Sequence, residues 1–155
     1  MYAKILIPLD GSELAECVLP HVDSIAKGCN VKEIIFLRVV EPFQMPSGIN
    51  SAALSEEDIK RIDSDNNSSA ENYLSQLVDR LKIDRTIIRS EIISGKAPEN
   101  IADYASKNDV DLIIIATHGR SGISRWVWGS VADRVFRSAC VPVLMIRAPG
   151  CVPGF

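Results

Sequence analysis

"DLIIIATHGRSGISRWVWGSVADRVF" runs from Asp111 to Phe136, and the way it is read decides the fold. After one aspartate come five apolar residues in a row, Leu112 to Ala116. A strand with one wet face alternates apolar and polar residues. An unbroken run of Ile and Leu is a strand covered on both faces, as in parallel sheets. The run empties into a loop holding Gly119, Gly122 and Gly129. A helical pattern through Ser130, Val131, Val135, Phe136 and Ala139 follows.

Four more runs read as strands, most of them near-continuous Ile, Leu and Val: "KILIPL" (Lys4–Leu9), "EIIFLRVV" (Glu33–Val40), "TIIRSEII" (Thr86–Ile93) and "PVLMIR" (Pro142–Arg147). Helical patterns separate them. Leu14, Val18, Val22 and Ile25 recur at helical spacing, with Ser12 as N-cap, Gly28 as stop and Pro20 predicting a kink. Ile59, Ile62, Tyr73, Leu74, Leu77 and Leu81 form a second pattern. It is weakened by "DSDNNSS" (Asp63–Ser69), whose short polar side chains compete for backbone hydrogen bonds. Pro98 marks the first turn of a third helix through Ile101, Ala102 and Ala105. The order β-α-β-α-β-α-β-α-β predicts right-handed crossovers, with helices on both faces of a parallel sheet. "EPFQMPSGINSAALSEED" (Glu41–Asp58) reads as a surface loop or as a flap over a site.

The chain has 155 residues without a break in composition, which predicts one domain. It is 46% hydrophobic with a formal net charge of -3, a balance unsuited to general nucleic-acid binding. No apolar stretch reaches the length of a membrane span. The opening residues lack the pattern of a secretory leader, so the expected location is the cytoplasm. Cys17, Cys29, Cys140 and Cys151 contain no C-x-x-C pair and are expected to be reduced thiols. Neither they nor the two histidines have zinc-ligand spacing.

Ligands of open parallel sheets bind beyond the carboxyl ends of the strands. Here those ends carry "PLDGS", "RVVEP" and the glycine-rich loop. From Ala116 to Arg137 there are four arginines and one acid, Asp133, within an acidic chain. Glycines that admit close backbone approach, a helix start at Gly129-Ser130 and local positive charge together describe a phosphate cradle. The same residues also describe a plain strand-to-helix turn, capped by Ser130, with arginines reaching solvent. Neither a G-x-G-x-x-G fingerprint nor a P-loop is present. "GRSG" is no nucleophile elbow, and Pro8 stands where an aspartate-nucleophile phosphatase would need its first aspartate. His118 has no orienting carboxylate in the sequence and reads as a loop residue. Trp126 and Trp128 read as packing residues.

Four segments together resemble the universal stress protein family: "KILIPLDGSE", "FLRVVEP", "DVDLIIIATHGRSG" and "GSVADRVFRSACVPVLMIR". The nucleotide-binding branch of that family carries the motif G-x2-G-x9-G-[ST]. Here Gly119, nine residues and Gly129-Ser130 match it, and Ala116 stands at the first glycine. If that position needs only a small side chain, binding survives; if it needs a left-handed backbone, binding weakens.

The resemblance implies a Rossmann-like α/β domain over residues 1–155, with an open, twisted, five-stranded parallel sheet of order 3-2-1-4-5. It implies a homodimer, ATP at the strand ends, and Mg2+ or Mn2+ at its phosphates. Carried over by position, Pro8, Leu9 and Asp10 lie at the end of the first strand, with Asp10 facing the ribose or the phosphate-metal region. Val39 meets the adenine through its backbone. Ala116, Thr117, His118, Gly119, Arg120, Ser121 and Gly122 form the phosphate loop. Gly129, Ser130 and Val131 hold phosphates at the helix start.

The expected protein is an ATP-binding regulator of the stress response that acts on a protein partner, with slow hydrolysis at most. No Walker-type lysine, paired-carboxylate centre or positioned base is legible. A weak metal-dependent ATPase or phosphotransferase using Asp10, and a nucleotide-free interaction module, are the alternatives. The dimer contact is expected at Val143 to Ile146, an apolar edge strand with unpaired backbone groups.

Overall fold

The computed structural model describes residues 2–44, 55–117 and 130–148. Its strands are β1 (Lys4–Pro8), β2 (Glu33–Val40), β3 (Ile87–Ser94), β4 (Leu112–Thr117) and β5 (Val143–Arg147). Its helices are α1 (Leu19–Cys29), α2 (Glu56–Arg80), α3 (Ala97–Lys107) and α4 (Ser130–Ser138). All the strand pairings are parallel, and the order across the sheet is β3-β2-β1-β4-β5.

The unbroken apolar runs follow from the two covered faces. Ile5, Ile7, Ile34, Phe36, Leu112, Ile114 and Ala116 pack with Val22, Ala26, Leu74 and Leu77 of α1 and α2. Their sequence neighbours Leu6, Ile35, Leu37, Ile113 and Ile115 pack on the opposite face, with Ile101 and Ala105 of α3 and Ala132 and Val135 of α4. A strand that feeds two cores has no position for a polar residue until it leaves the sheet.

Several local expectations are corrected. The segment after β1 opens as a short 3-10 turn, Ala15–Val18, and only then becomes α1. Ser12 Oγ accepts from the Ala15 amide at 3.1 Å, but the residue at the cap position of that turn is Leu14, which offers no side-chain bond. Pro20 causes no interior break, because it falls in the first turn of α1, where its missing N–H has no intrahelical role. The stop is Asn30, left-handed at φ 54°, and Gly28 is an ordinary exposed helical residue. An Asn can take the left-handed cap that was expected of glycine.

The Asp63–Ser69 run does not interrupt α2, which is continuous over 25 residues. A capping box starts the helix. Ser55 Oγ accepts from the Asp58 amide at 3.1 Å, and Asp58 Oδ2 accepts from the Ser55 amide at 3.0 Å. Asp63 bonds outward, accepting from the Phe43 amide at 2.8 Å rather than competing for its own helix. Ala70, Leu74 and Leu77 then anchor the second half in the core. Leu14 and Phe136 were expected on apolar helix faces, yet are 46% and 54% exposed. Leu14 precedes the 3-10 turn, and Phe136 is one step round from Val135, which takes the inward position of α4.

Candidate functional site

Pairing of Ile5 with Leu112 and of Leu6 with Ile113 sets the carboxyl ends of β1 and β4 side by side. The crossover from β3 to β4 passes over the other face of the sheet, so the chain reverses direction of winding there. A crevice at such a reversal is the general ligand position of open parallel sheets.

Beyond β1 the chain turns sharply. The Leu9 amide donates to the Leu37 carbonyl at 2.9 Å, and Leu9 itself is buried. Pro8 and Leu9 are therefore buried beneath the turn, and Asp10 is the first exposed residue. Asp10 Oδ1 accepts from the Ser12 amide at 2.9 Å and from Ser12 Oγ at 2.6 Å, so the carboxylate is oriented by its own turn. Gly11 supplies the left-handed φ of 81° that the turn requires. A Cβ there would also stand 3.2 Å from Arg38 Nη1.

A cleft of about 620 Å³ opens above the carboxyl ends of β1 and β2. Asp10 and Gly11 line it from β1, and Arg38, Val39, Val40 and Glu41 from β2. Asn66, Ser69, Ala70 and Tyr73 of α2 form a wall, and Ala97 closes it at the head of α3. A volume of that size holds a ligand of nucleotide dimensions. Two donors in it are buried without a hydrogen-bond partner, Arg38 Nε and Tyr73 Oη. Burial, followed by the negative charge of Glu16, raises the Tyr73 hydroxyl far above the usual phenol value, so it stays a neutral donor. Glu16 is itself held by Arg80 at 2.7 Å.

The structure brings Asp10 and Val39 into one cleft, as expected from sequence. Ala116 is extended, within β4, and buried against the α1–α2 core. Among the described residues, the left-handed non-glycine positions are Asn30, Arg85 and Asp109, so Ala116 carries no left-handed strain. Thr117 is buried, and its carbonyl accepts from the Ala148 amide at 3.1 Å. Ser130 opens α4 as an exposed residue, and Val131 packs on the core beneath α4. His118, Gly119, Arg120, Ser121, Gly122 and Gly129 lie outside the described residues, as do Trp126 and Trp128.

Sequence reading missed Arg38, Tyr73, Asn66 and Ser69. One clue was available: Arg38 is the only charged residue between Ile34 and Val40. Tyr73 read as plain core, because its helical spacing matches that of Leu77. Among the described residues no three His, Cys, Asp or Glu side chains gather as metal ligands. Cys17, Cys29 and Cys140 are free thiols, and burial pushes the Cys17 thiol up. No described helix is long and apolar enough to cross a membrane.

The chain is 30% identical over 150 residues to universal stress protein MJ0531 of Methanocaldococcus jannaschii, covering 96% of this chain and 84% of that protein. The solved structure of MJ0577 from the same organism superposes with a TM-score of 0.79 at 28% identity, over 97% of this chain and 99% of that one. An Arabidopsis thaliana universal stress protein family structure with AMP bound shares the fold at a TM-score of 0.66 and 16% identity, over 96% and 93% of the two chains. The universal stress protein family as a whole matches residues 1–147. With a family match over almost its full length, a relative at 30% identity and a shared fold, the chain belongs to the universal stress protein family.

Proposed function

We propose that the protein binds ATP at the carboxyl ends of its parallel strands and serves the stress response as a regulator, hydrolysing the nucleotide slowly at most. The observation that carries this reading is the cleft itself. It lies over the carboxyl ends of β1 and β2, under α2, and joins an oriented carboxylate, Asp10, to the exit of β2 at Val39. The AMP held by a protein of the same fold supports an adenine nucleotide.

In this reading Asp10 accepts hydrogen bonds from ribose hydroxyls, and the Val39 backbone meets the base. The first amides of α4, from Ser130 and Val131, have no intrahelical acceptor and face the phosphates, and residues 116–122 contribute the remaining phosphate contacts. Mg2+ or Mn2+ would be held chiefly by the phosphates, with Asp10 as the carboxylate in reach. Residues 1–155 act as one nucleotide-binding domain in the cytoplasm. Two copies pair through Val143 to Ile146 of the edge strand β5, and nucleotide occupancy sets affinity for a protein partner. Mass spectrometry of the purified, denatured protein is the test. Co-purified adenine nucleotide in near-stoichiometric amount is expected. Protein that carries none and shows no ATP binding by calorimetry overturns the reading.

A further inference from the structure

Arg38 breaks the apolar run of β2 near its end. Strand alternation places it on the face of Phe36, one step above the core that α1 and α2 cover. Its Nη1 donates a long bond to the Leu9 carbonyl at 3.5 Å and lies against Gly11. The guanidinium is thus seated on the turn that carries Asp10, while its Nε–H is buried with no acceptor. Across the cleft, Tyr73 presents a second buried hydroxyl that makes no close hydrogen bond, with the Glu16 carboxylate beside it already held by Arg80. Two unpaired donors from two elements in one cleft are costly and uncommon unless something else satisfies them.

We infer that Arg38 and Tyr73 recognise the nucleoside half of the nucleotide, donating hydrogen bonds to ring nitrogens or sugar oxygens. The inference rests on the proposed nucleotide reading and deepens it. The neighbours of these donors point to the nucleoside half. Among the described residues, the lining combines the carboxylates of Asp10 and Glu41 with the Arg38 guanidinium, a mixture that suits a group carrying both hydroxyls and acceptors. A planar guanidinium also stacks on a heterocycle, which a lysine could not do.

Calorimetry with ATP and with adenosine separates the possibilities. Arg38→Met should weaken both ligands by about the same factor, about tenfold or more, equivalent to about 1.4 kcal/mol. Tyr73→Phe should weaken both by a smaller common factor. Ser130→Pro, which removes a helix-start amide at a position where proline is tolerated, should weaken ATP alone. Arg38→Gln serves if Arg38→Met fails to fold, as judged by circular dichroism. Loss confined to ATP would place Arg38 at the phosphates and overturn the inference. So would unchanged binding of both ligands to the Arg38 and Tyr73 variants while Asp10→Ala abolishes binding, and the nucleotide reading would then stand. Wild-type protein that binds neither ligand removes the nucleotide reading, and this inference with it.

Discussion

At the amino end of the sheet, polar side chains are matched to partners; at the carboxyl end, two are not. Asp111 Oδ2 accepts from the amides of Ala3 and Lys4, each at 2.8 Å, and so locks the start of β4 to the start of β1. Lys4 Nζ donates to the Asn108 carbonyl at 2.9 Å, and Thr86 Oγ1 to the Val31 carbonyl at 2.8 Å. Glu33 lies 3.0 Å from Arg89 and 3.5 Å from Lys4. These contacts tie the starts of the strands to one another and to the connections before them. Above the carboxyl ends, Arg38 Nε and Tyr73 Oη are buried unpaired beside an open cleft. One end of the same sheet is built to hold strands in register, and the other keeps hydrogen-bonding capacity in reserve for a ligand.

Gly11→Val attacks the carboxyl end most directly and should have the largest effect. A β-branched residue at φ 81° is strained by roughly 1–3 kcal/mol. Its Cβ would also press on Arg38 Nη1. Thermal melting should show the destabilisation, and calorimetry a loss of ATP binding greater than about tenfold. A variant of normal stability and affinity would erase the distinction between the two ends.

Asp111→Asn probes the amino end and should act on stability alone. Hydrogen bonds from the Lys4 and Ala3 amides hold the Asp111 carboxyl below its ordinary range. A carboxyl lowered by folding adds stability that is fully present above its unfolded value, near 3.9. That stability drains as the pH falls through this value toward the folded one. The variant should therefore melt lower at neutral pH, by about 1 kcal/mol of stability. Its acid unfolding limb should be shallower, and its ATP affinity unchanged. Denaturant titrations at pH 7 and pH 3 check the sign: equal losses at both would show that the carboxylate's charge is irrelevant.

Glu33→Gln should do least. Its partners Lys4 and Arg89 are 30% and 59% exposed at the side chain, so the pairs are screened by water and contribute less than about 1 kcal/mol. Addition of salt should shrink even that difference. A larger and salt-independent loss would make the amino end a buried network rather than a set of surface ties.

Much of this fold is legible from residue order. Each expected strand lies within one residue of its observed bounds, and the central strands are the plainest, because a strand between two cores is apolar wherever both faces are covered. Helix beginnings were read less well. Ser12 accepts from the Ala15 amide, but the residue at the cap position of the 3-10 turn is Leu14, which offers no side-chain bond, and the left-handed stop fell to Asn30 rather than Gly28. Those choices depend on where β1 releases the chain and where β2 must receive it, and local propensity carries neither distance. The unbroken α2 was missed for a related reason. Asp63 finds its acceptor role at Phe43, 20 residues away, so the competition expected inside its own helix does not arise.

The two edge strands show the same division. β3 carries Arg89, Ser90 and Glu91, all exposed, and β5 keeps Val143, Leu144, Met145 and Ile146 half-buried. The composition of both is written in the sequence, and so is the charged guard on one of them. That they are the two edges is decided by the sheet order β3-β2-β1-β4-β5, which follows from the side on which each crossover packs.

By itself the sequence determined the alternation of strands and helices, the double-sided burial, and the placing of Asp10 and Val39 at strand ends. Periodicity and chain order suffice for that, since each strand end is also the start of a connection. Only the tertiary structure decided that Arg38 and Tyr73, 35 positions apart, share one cleft, and that Ala116 is an extended core residue free of left-handed strain. Pairing of donors across a cleft depends on how α2 lies over β2, a long-range packing outcome. Backbone conformation at Ala116 depends on β4 continuing one residue beyond its apolar run to Thr117, where β5 is there to pair with it.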